Sequence, residues 1–435
     1  MEGNKLVLTK IWVLILASLV FQPVLAQNKI LIDGATVHTG DGTVIAQGLV
    51  GIVDGKITLI KNALSFNYKP SDWDTIIKAH GHHLYPGFIA PNSTLGLSEV
   101  DAVRATLDFK EVGKFNPHIR ALIAFNVESR IIPTTITNGV LIAQTTPRGG
   151  MISGSSSIMR LSGWNWEDAV ILSDDGIHVN WPKTIQGGGW WAEPAPKKTN
   201  EKYEEQYREL IDFLSAAKAY ADTPEKSRKF DARYAAMVNI FNGKQRCYFH
   251  ADELKALQDV IQVAQKLKIQ KPVIVGGYDS YLITEILKDA EIPVMLTRLH
   301  SLPSNEDDPI DLVYRLPKLL HDGGVLFCLQ NAGSMETMHT RNLPFLAGTA
   351  RAYGLLATEA IKAISLNAAE IIGISDKYGS ISLGKSATLF LSKGDALEVK
   401  SNQVELILID GKFIPVTNHQ YMLYERYYEK YKKSN

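Results

Sequence analysis

Cysteine is nearly absent: Cys247 and Cys328 are the only two in 435 residues. Two thiols in a chain this long exclude a disulfide-stapled scaffold. Neither sign of charge predominates, with 46 Lys and Arg against 46 Asp and Glu. That balance removes the electrostatic footing of a polyanion partner, so no nucleic-acid ligand is expected. A charged content of 21% beside 45% hydrophobic residues excludes disorder. Beyond the first stretch of chain no apolar run reaches the roughly 20 residues that cross a bilayer.

What is present begins with a leader. Lys5 and Lys10 precede an apolar run over 11–21, and Val24-Leu25-Ala26 offers small or aliphatic residues ahead of Gln27. This is the pattern of a secretory signal peptide cleaved after Ala26. Gln22 and Pro23 interrupt the run, which argues against a retained anchor. The expected destination is the periplasm or the exterior, with no stable membrane insertion after cleavage. Cys247 and Cys328 each stand three residues before a polar residue, His250 and Asn331, at the end of an apolar run. Period-two alternation turns each thiol to the opposite face from that polar residue, so two separate buried thiols are expected.

Residues 28–63 are β-rich runs cut by Asp-Gly turns, and the same texture returns at 379–415. Between them, apolar runs at 140–147, 246–251, 272–277, 292–300 and 324–333 alternate with amphipathic segments at 252–267, 281–288 and 312–320. Such alternation predicts an α/β fold with a parallel sheet, most simply a (β/α)8 TIM barrel; a doubly wound sheet is the competitor. The expected division is a signal peptide at 1–26, a composite β-sandwich from 27–84 and 377–417, a barrel over 85–376, and a tail at 418–435. Residues 183–240 read as an insertion in the barrel, with a helix from about 202 to 222.

Three segments resemble one family. Leu84-Tyr85-Pro86-Gly87-Phe88-Ile89 resembles the strand-1 signature of the amidohydrolase superfamily, in its imidazolonepropionase-like and dihydroorotase-like branches. The run from Gly379 through Gly384-Lys385 is similar to its return strand, and 363–373 looks like its last helix. The resemblance implies a metal-supporting barrel that hydrolyses amide or cyclic-amide C–N bonds. It also implies a first strand ending in His-x-His, where this chain reads Asn92-Ser93-Thr94. The strand-5 histidine matches His250. The strand-6 histidine falls at Gly276-Gly277, and the strand-8 aspartate at Gln330-Asn331. Zinc favours thiolate, imidazole and carboxylate, so His250 is the only retained ligand position and no resident cofactor is expected; zinc would be needed if the ancestral activity were kept. His80-Gly81-His82 is a true His-x-His, but it sits in the turn before strand 1, away from the active-site end.

Candidate catalytic residues are His250, Asn331 and His300, the last beside an acidic loop over 302–308; His118 is weaker. Asn92 and Thr94 are candidates for ligand binding, and so are Gly150, Ser153 and Ser155 in a Gly-Ser stretch that would cradle an anion. Five of seven tryptophans fall between Trp164 and Trp191, fitting either an aromatic ligand wall, a local core or a protein contact. Three functions remain open: a C–N hydrolase, a non-catalytic binding protein, and a metal-free enzyme using His250. The expected partners are a small amide-like or peptide-like ligand, and either a second copy of the chain or an active amidohydrolase relative.

Overall fold

The computed structural model describes residues 28–186, 198–333 and 335–432. The expected leader, and with it Trp190 and Trp191, lies outside them.

Strands from both ends of the chain share one sheet. β1 (Lys29–His38), β2 (Val44–Val53), β3 (Lys56–Asn62), β4 (Thr75–Lys78) and β5 (His83–Pro86) come first. Near the other end β16 (Leu389–Ser392), β17 (Val404–Ile409) and β18 (Lys412–Ile414) extend it in the order β18-β17-β16-β5-β1-β2-β3, with β4 alongside β1. The Asp54-Gly55 turn, both residues left-handed, reverses β2 into β3. The sheet curls until Lys56 pairs with Ser386, enclosing Ile30, Ile32, Val50, Ile52, Leu84, Leu389 and Leu408.

The second sheet is the barrel. β6 (Phe88–Ser93), β7 (Val140–Thr145), β8 (Ile152–Arg160), β9 (Val170–Asn180), β12 (Arg246–Ala251), β13 (Pro272–Gly276), β14 (Val294–Leu296) and β15 (Phe327–Leu329) are neighbours in that order. Strands β10 (Ile185–Gln186) and β11 (Lys198–Thr199) form a separate small ribbon. The ring is nearly closed where the Asn92 amide donates to Gln330 Oε1 at 3.2 Å and Ile89 N–H to Ile364 at 2.9 Å. Helices Tyr203–Asp222, Leu254–Lys266 and Leu312–Asp322 fall at the predicted places. Cys247 and Cys328 are buried free thiols.

One strand departs from the expected alternation. β8 runs antiparallel to both β7 and β9. A parallel return needs a crossover of a dozen or more residues, and the connection 146–151 is too short to supply one. The Gly-Ser stretch expected to cradle an anion therefore becomes a strand from Ile152 onward. Its poor intrinsic β-propensity is overridden by pairing on both edges and burial on both faces.

Candidate functional site

Function in a barrel belongs at the carboxyl ends of its strands, and here those ends carry an unusual cation. Asn92, at the end of β6, has a left-handed backbone with φ of 49°, a conformation that Asn tolerates better than most residues. The turn breaks register with β7 between Ala90 and Ser93 and tips both polar groups of Asn92 inward. Arg148, just past β7, grips them. One terminal nitrogen donates to Asn92 Oδ1 at 2.8 Å and the other to the Asn92 carbonyl at 2.8 Å. The other side of the guanidinium pairs with Glu336, at 3.1 Å from Nε and 3.2 Å from the second terminal nitrogen. This fork-to-carboxylate geometry is one that lysine cannot reproduce.

Beneath Arg148 lies a chain of buried polar groups. Asp175, 2% exposed, accepts from Ser156 at 2.7 Å, Tyr248 at 2.6 Å and the Gln144 amide at 2.9 Å. Ser156 Oγ also meets His178 Nε2 at 2.9 Å, and His178 Nδ1 meets His250 Nε2 at 2.8 Å. The Ser156 O–H donates to Asp175, which sets the polarity: His178 Nε2–H donates to Ser156 and His250 Nε2–H to His178 Nδ1. His250 is left with an unprotonated Nδ1. The Tyr248 ring stacks on His178 with centroids 4.6 Å apart, holding the relay in plane.

Burial makes both imidazoles weak bases. Desolvation, reinforced by the neighbouring His250 and the Arg148 charge, holds His178 well below the ordinary histidine value. Desolvation with the charges of Arg148 and Lys183 takes His250 down to about 3. Burial pushes the Asp175 carboxyl up, against the opposing pull of its Tyr248 and Ser156 hydrogen bonds. Both histidines are therefore neutral at physiological pH.

The mouth is a cleft of two lobes meeting at Asn92 and His250. A cavity of about 680 Å3 extends over Trp181, Lys183, Asp252, Glu253, Tyr278 and Gln330. A smaller one of about 390 Å3 includes Thr94, Phe109, Arg148 and Glu336. His250, Asn92 and Thr94 thus come together as expected from the sequence, although the Thr94 hydroxyl is hydrogen-bonded to that of Thr337 at 2.7 Å. Asn331 is buried beside the cleft with its amide nitrogen unpartnered among the described residues. His300 points elsewhere and pairs with the Thr349 hydroxyl at 2.8 Å. Gly150, Ser153 and Ser155 line neither lobe. The Gly150 carbonyl and the Ser153 hydroxyl take the Asn180 amide, while Ser155 Oγ donates to Ile119 and Asp174. His118 is exposed.

The tryptophans divide. Trp181 is buried in the larger lobe and Trp166 packs on the barrel core, while Trp164 is 93% exposed. His82 reaches Glu405 at 2.9 Å within the first sheet, far from the mouth. Sequence reasoning missed His178 and the role of Arg148. The first was legible in the alternation Ile177-His178-Val179, which marks a lone polar residue facing the barrel interior. The second carried no local signal, because its partner Glu336 is remote in sequence.

The whole is an α/β barrel with a polar cleft at its strand ends, bearing a sheet made from both ends of the chain. Residues 231–414 match the sequence model of the amidohydrolase family. Among solved structures it is similar to an amidohydrolase from Thermotoga maritima, with a TM-score of 0.75 and 23% identity over 89% of this chain and 99% of that one. It is also similar to ochratoxinase from A. niger, with a TM-score of 0.53 and 14% identity over 91% and 98%. An adenosine deaminase from Xanthomonas campestris with bound zinc gives 0.51 and 13% over 93% and 99%. At these identities the likeness is one of fold. No curated relative matches the chain in sequence.

Proposed function

We propose that this is an exported amidohydrolase-fold protein that binds a small amide-like or peptide-like ligand at the barrel mouth and does not carry out metal-dependent hydrolysis. The match to the amidohydrolase family points to C–N bond hydrolysis, and members of that family usually use a divalent metal such as zinc. The residues here do not fit such an ion. Zinc requires three or four thiolate, imidazole or carboxylate lone pairs aimed at one point. Of the positions that the resemblance assigns to ligands only His250 is an imidazole; the others hold Asn92, Thr94, Gly276-Gly277 and Gln330-Asn331. Both nitrogens of His178 are engaged inside the protein, and one of His250's is. Arg148 is the observation that carries the reading: a guanidinium held by Asn92 and Glu336 puts a fixed positive charge beside the remaining imidazoles.

A second reading rests on the hydrogen-bond relay. The chain Asp175–Ser156–His178–His250 leaves a lone pair on His250 Nδ1, which is the arrangement of a general base. Its low basicity limits it to a weak one. Turnover of N-acyl amino acids, dipeptides and cyclic amides, with metal content measured on the same chelator-free preparation, separates the readings. The binding reading expects less than a tenth of an equivalent of divalent metal, roughly, and no turnover. Chelator-sensitive turnover with stoichiometric metal would overturn it. Chelator-resistant turnover abolished by His250→Ala would establish the metal-free enzyme instead. Export is supported by the leader pattern and tested by the N-terminus of the mature protein, expected at Gln27. A second copy or an active relative remains the expected macromolecular partner, tested by co-purification.

A further inference from the structure

Two hydrogen-bond chains end at the barrel mouth, and their polarities are opposite. The first starts at Arg148, whose guanidinium carries donors only. It fixes Asn92 Oδ1 as the acceptor at 2.8 Å, which turns the Asn92 amide nitrogen toward Gln330 Oε1 at 3.2 Å. The Ala332 backbone N–H reaches the same Gln330 oxygen at 2.8 Å. With that oxygen held from two sides, the amide nitrogen of Gln330 is left over. It donates to nothing among the described residues, although the side chain is only 4% exposed and lines the larger lobe. The neighbouring Asn331 amide nitrogen is closed off inside the protein; that of Gln330 is not.

The second chain runs from Asp175 through Ser156 and His178 to His250, and it leaves His250 Nδ1 as a bare acceptor. This nitrogen also has no partner among the described residues and is not closed off, and His250 lines both lobes. Strand order sets the two ends face to face. Strand β12, which carries His250, lies four steps from β6 in either direction round the ring. Asn92 belongs to β6, and Gln330 follows β15, the neighbour of β6 where the ring closes. A ligand in the mouth therefore meets an N–H donor on one side and a lone pair on the other.

We propose that Gln330 and His250 read the two edges of one open-chain secondary amide. Gln330 Nε2–H donates to the ligand carbonyl, and the ligand N–H donates to His250 Nδ1. This deepens the reading of the cleft as a site for an amide-like ligand and rests on it. An open-chain amide is trans, with its C=O and N–H on opposite edges. A small lactam ring holds the amide cis and puts both groups on one edge, where only one of the two residues can meet it. A carboxylate has acceptors alone and would set an oxygen against the His250 lone pair. The opposed pair thus selects peptide-like amides over cyclic amides and over acids.

The test is isothermal titration of the purified protein with three neutral probes. They are N-acetyl-alanine methylamide, its doubly N-methylated analogue lacking both N–H groups, and the ring cyclo(Ala-Ala). The first is expected to bind about tenfold or more tightly than either of the others, because each loses one hydrogen bond and leaves a buried group unpaired. Gln330→Glu keeps an oxygen toward Ala332 and replaces the donor with an acceptor. It should weaken the open-chain amide about tenfold and erase its advantage over the ring, while the advantage over the N-methylated analogue persists. His250→Ala should erase that last advantage instead. Equal or tighter binding of the ring, or of the N-methylated analogue, would overturn the opposed pair while leaving the cleft a ligand site. No binding of any probe would overturn both. The three-probe comparison on the unaltered protein decides the matter even if a variant fails to fold.

Discussion

Arg148→Met should be the most damaging single change at the mouth. It keeps most of the aliphatic volume and removes every donor of the guanidinium. Among the described residues Glu336 would retain only the Gly333 N–H at 2.9 Å, and both acceptors of Asn92 would lose Arg148. The side chains of Arg148 and Glu336 are 21% and 13% exposed. Breaking a fully buried pair costs about 3–5 kcal/mol, and partial exposure brings the expectation here to about 2–4 kcal/mol. Part of that loss would come through Asn92, whose left-handed backbone is held by two of the lost bonds. Urea unfolding at neutral pH measures the loss. A double-mutant cycle with Glu336→Gln should return a coupling of about 1.5 kcal/mol or more. Arg148→Lys should rescue little, because an ammonium cannot span Glu336 and both Asn92 oxygens. The variant should also raise the His250 pKa from its depressed value, read from imidazole proton shifts. A loss below about 0.5 kcal/mol, within the range of an ordinary surface substitution, together with an unmoved His250 titration, would refute the view that Arg148 organises this site.

Acid should destabilise the protein through its neutral histidines. As pH falls below about 6.5 the unfolded chain takes up protons that buried His250 refuses until about pH 3, so stability drops by about 1.4 kcal/mol per pH unit for that residue. His250→Gln should flatten the dependence of unfolding free energy on pH by about one proton across that window; parallel curves would contradict the burial argument. Cys247 and Cys328 are fully buried and desolvation raises both thiols. Neither should react with a thiol-specific reagent until the chain unfolds, and reaction at the rate of an exposed thiol would show the barrel strands to be open.

Much of the architecture was legible because it depends on local pattern. The Asp-Gly turns of 28–63, the apolar runs ending at His250 and Asn331, and the amphipathic helices between them each satisfy a short-range rule of turn chemistry or periodicity. The strand β8 did not, since Ser and Gly form strands poorly and only its neighbours β7 and β9 hold it extended. That error displaced the expected anion cradle. With residues 152–160 in a strand, alternation sends Ser153 and Ser155 outward and Ser156 inward, so the hydroxyl that meets His178 is the one not chosen. His300 failed for a related reason: β14 stops at Leu296, and the chain turns away before reaching it.

The order of residues along this chain determined which segments become strands, which strand ends bear imidazole, and which hold amides and hydroxyls. Those are properties of neighbours, set within a few residues by side-chain chemistry and backbone preference. Tertiary structure alone decided that Arg148 would meet Glu336 across 188 positions and that His178 would lie against His250. Charge and hydrogen bonding act through space over a few ångströms, and only closing the barrel brings such distant groups within that range.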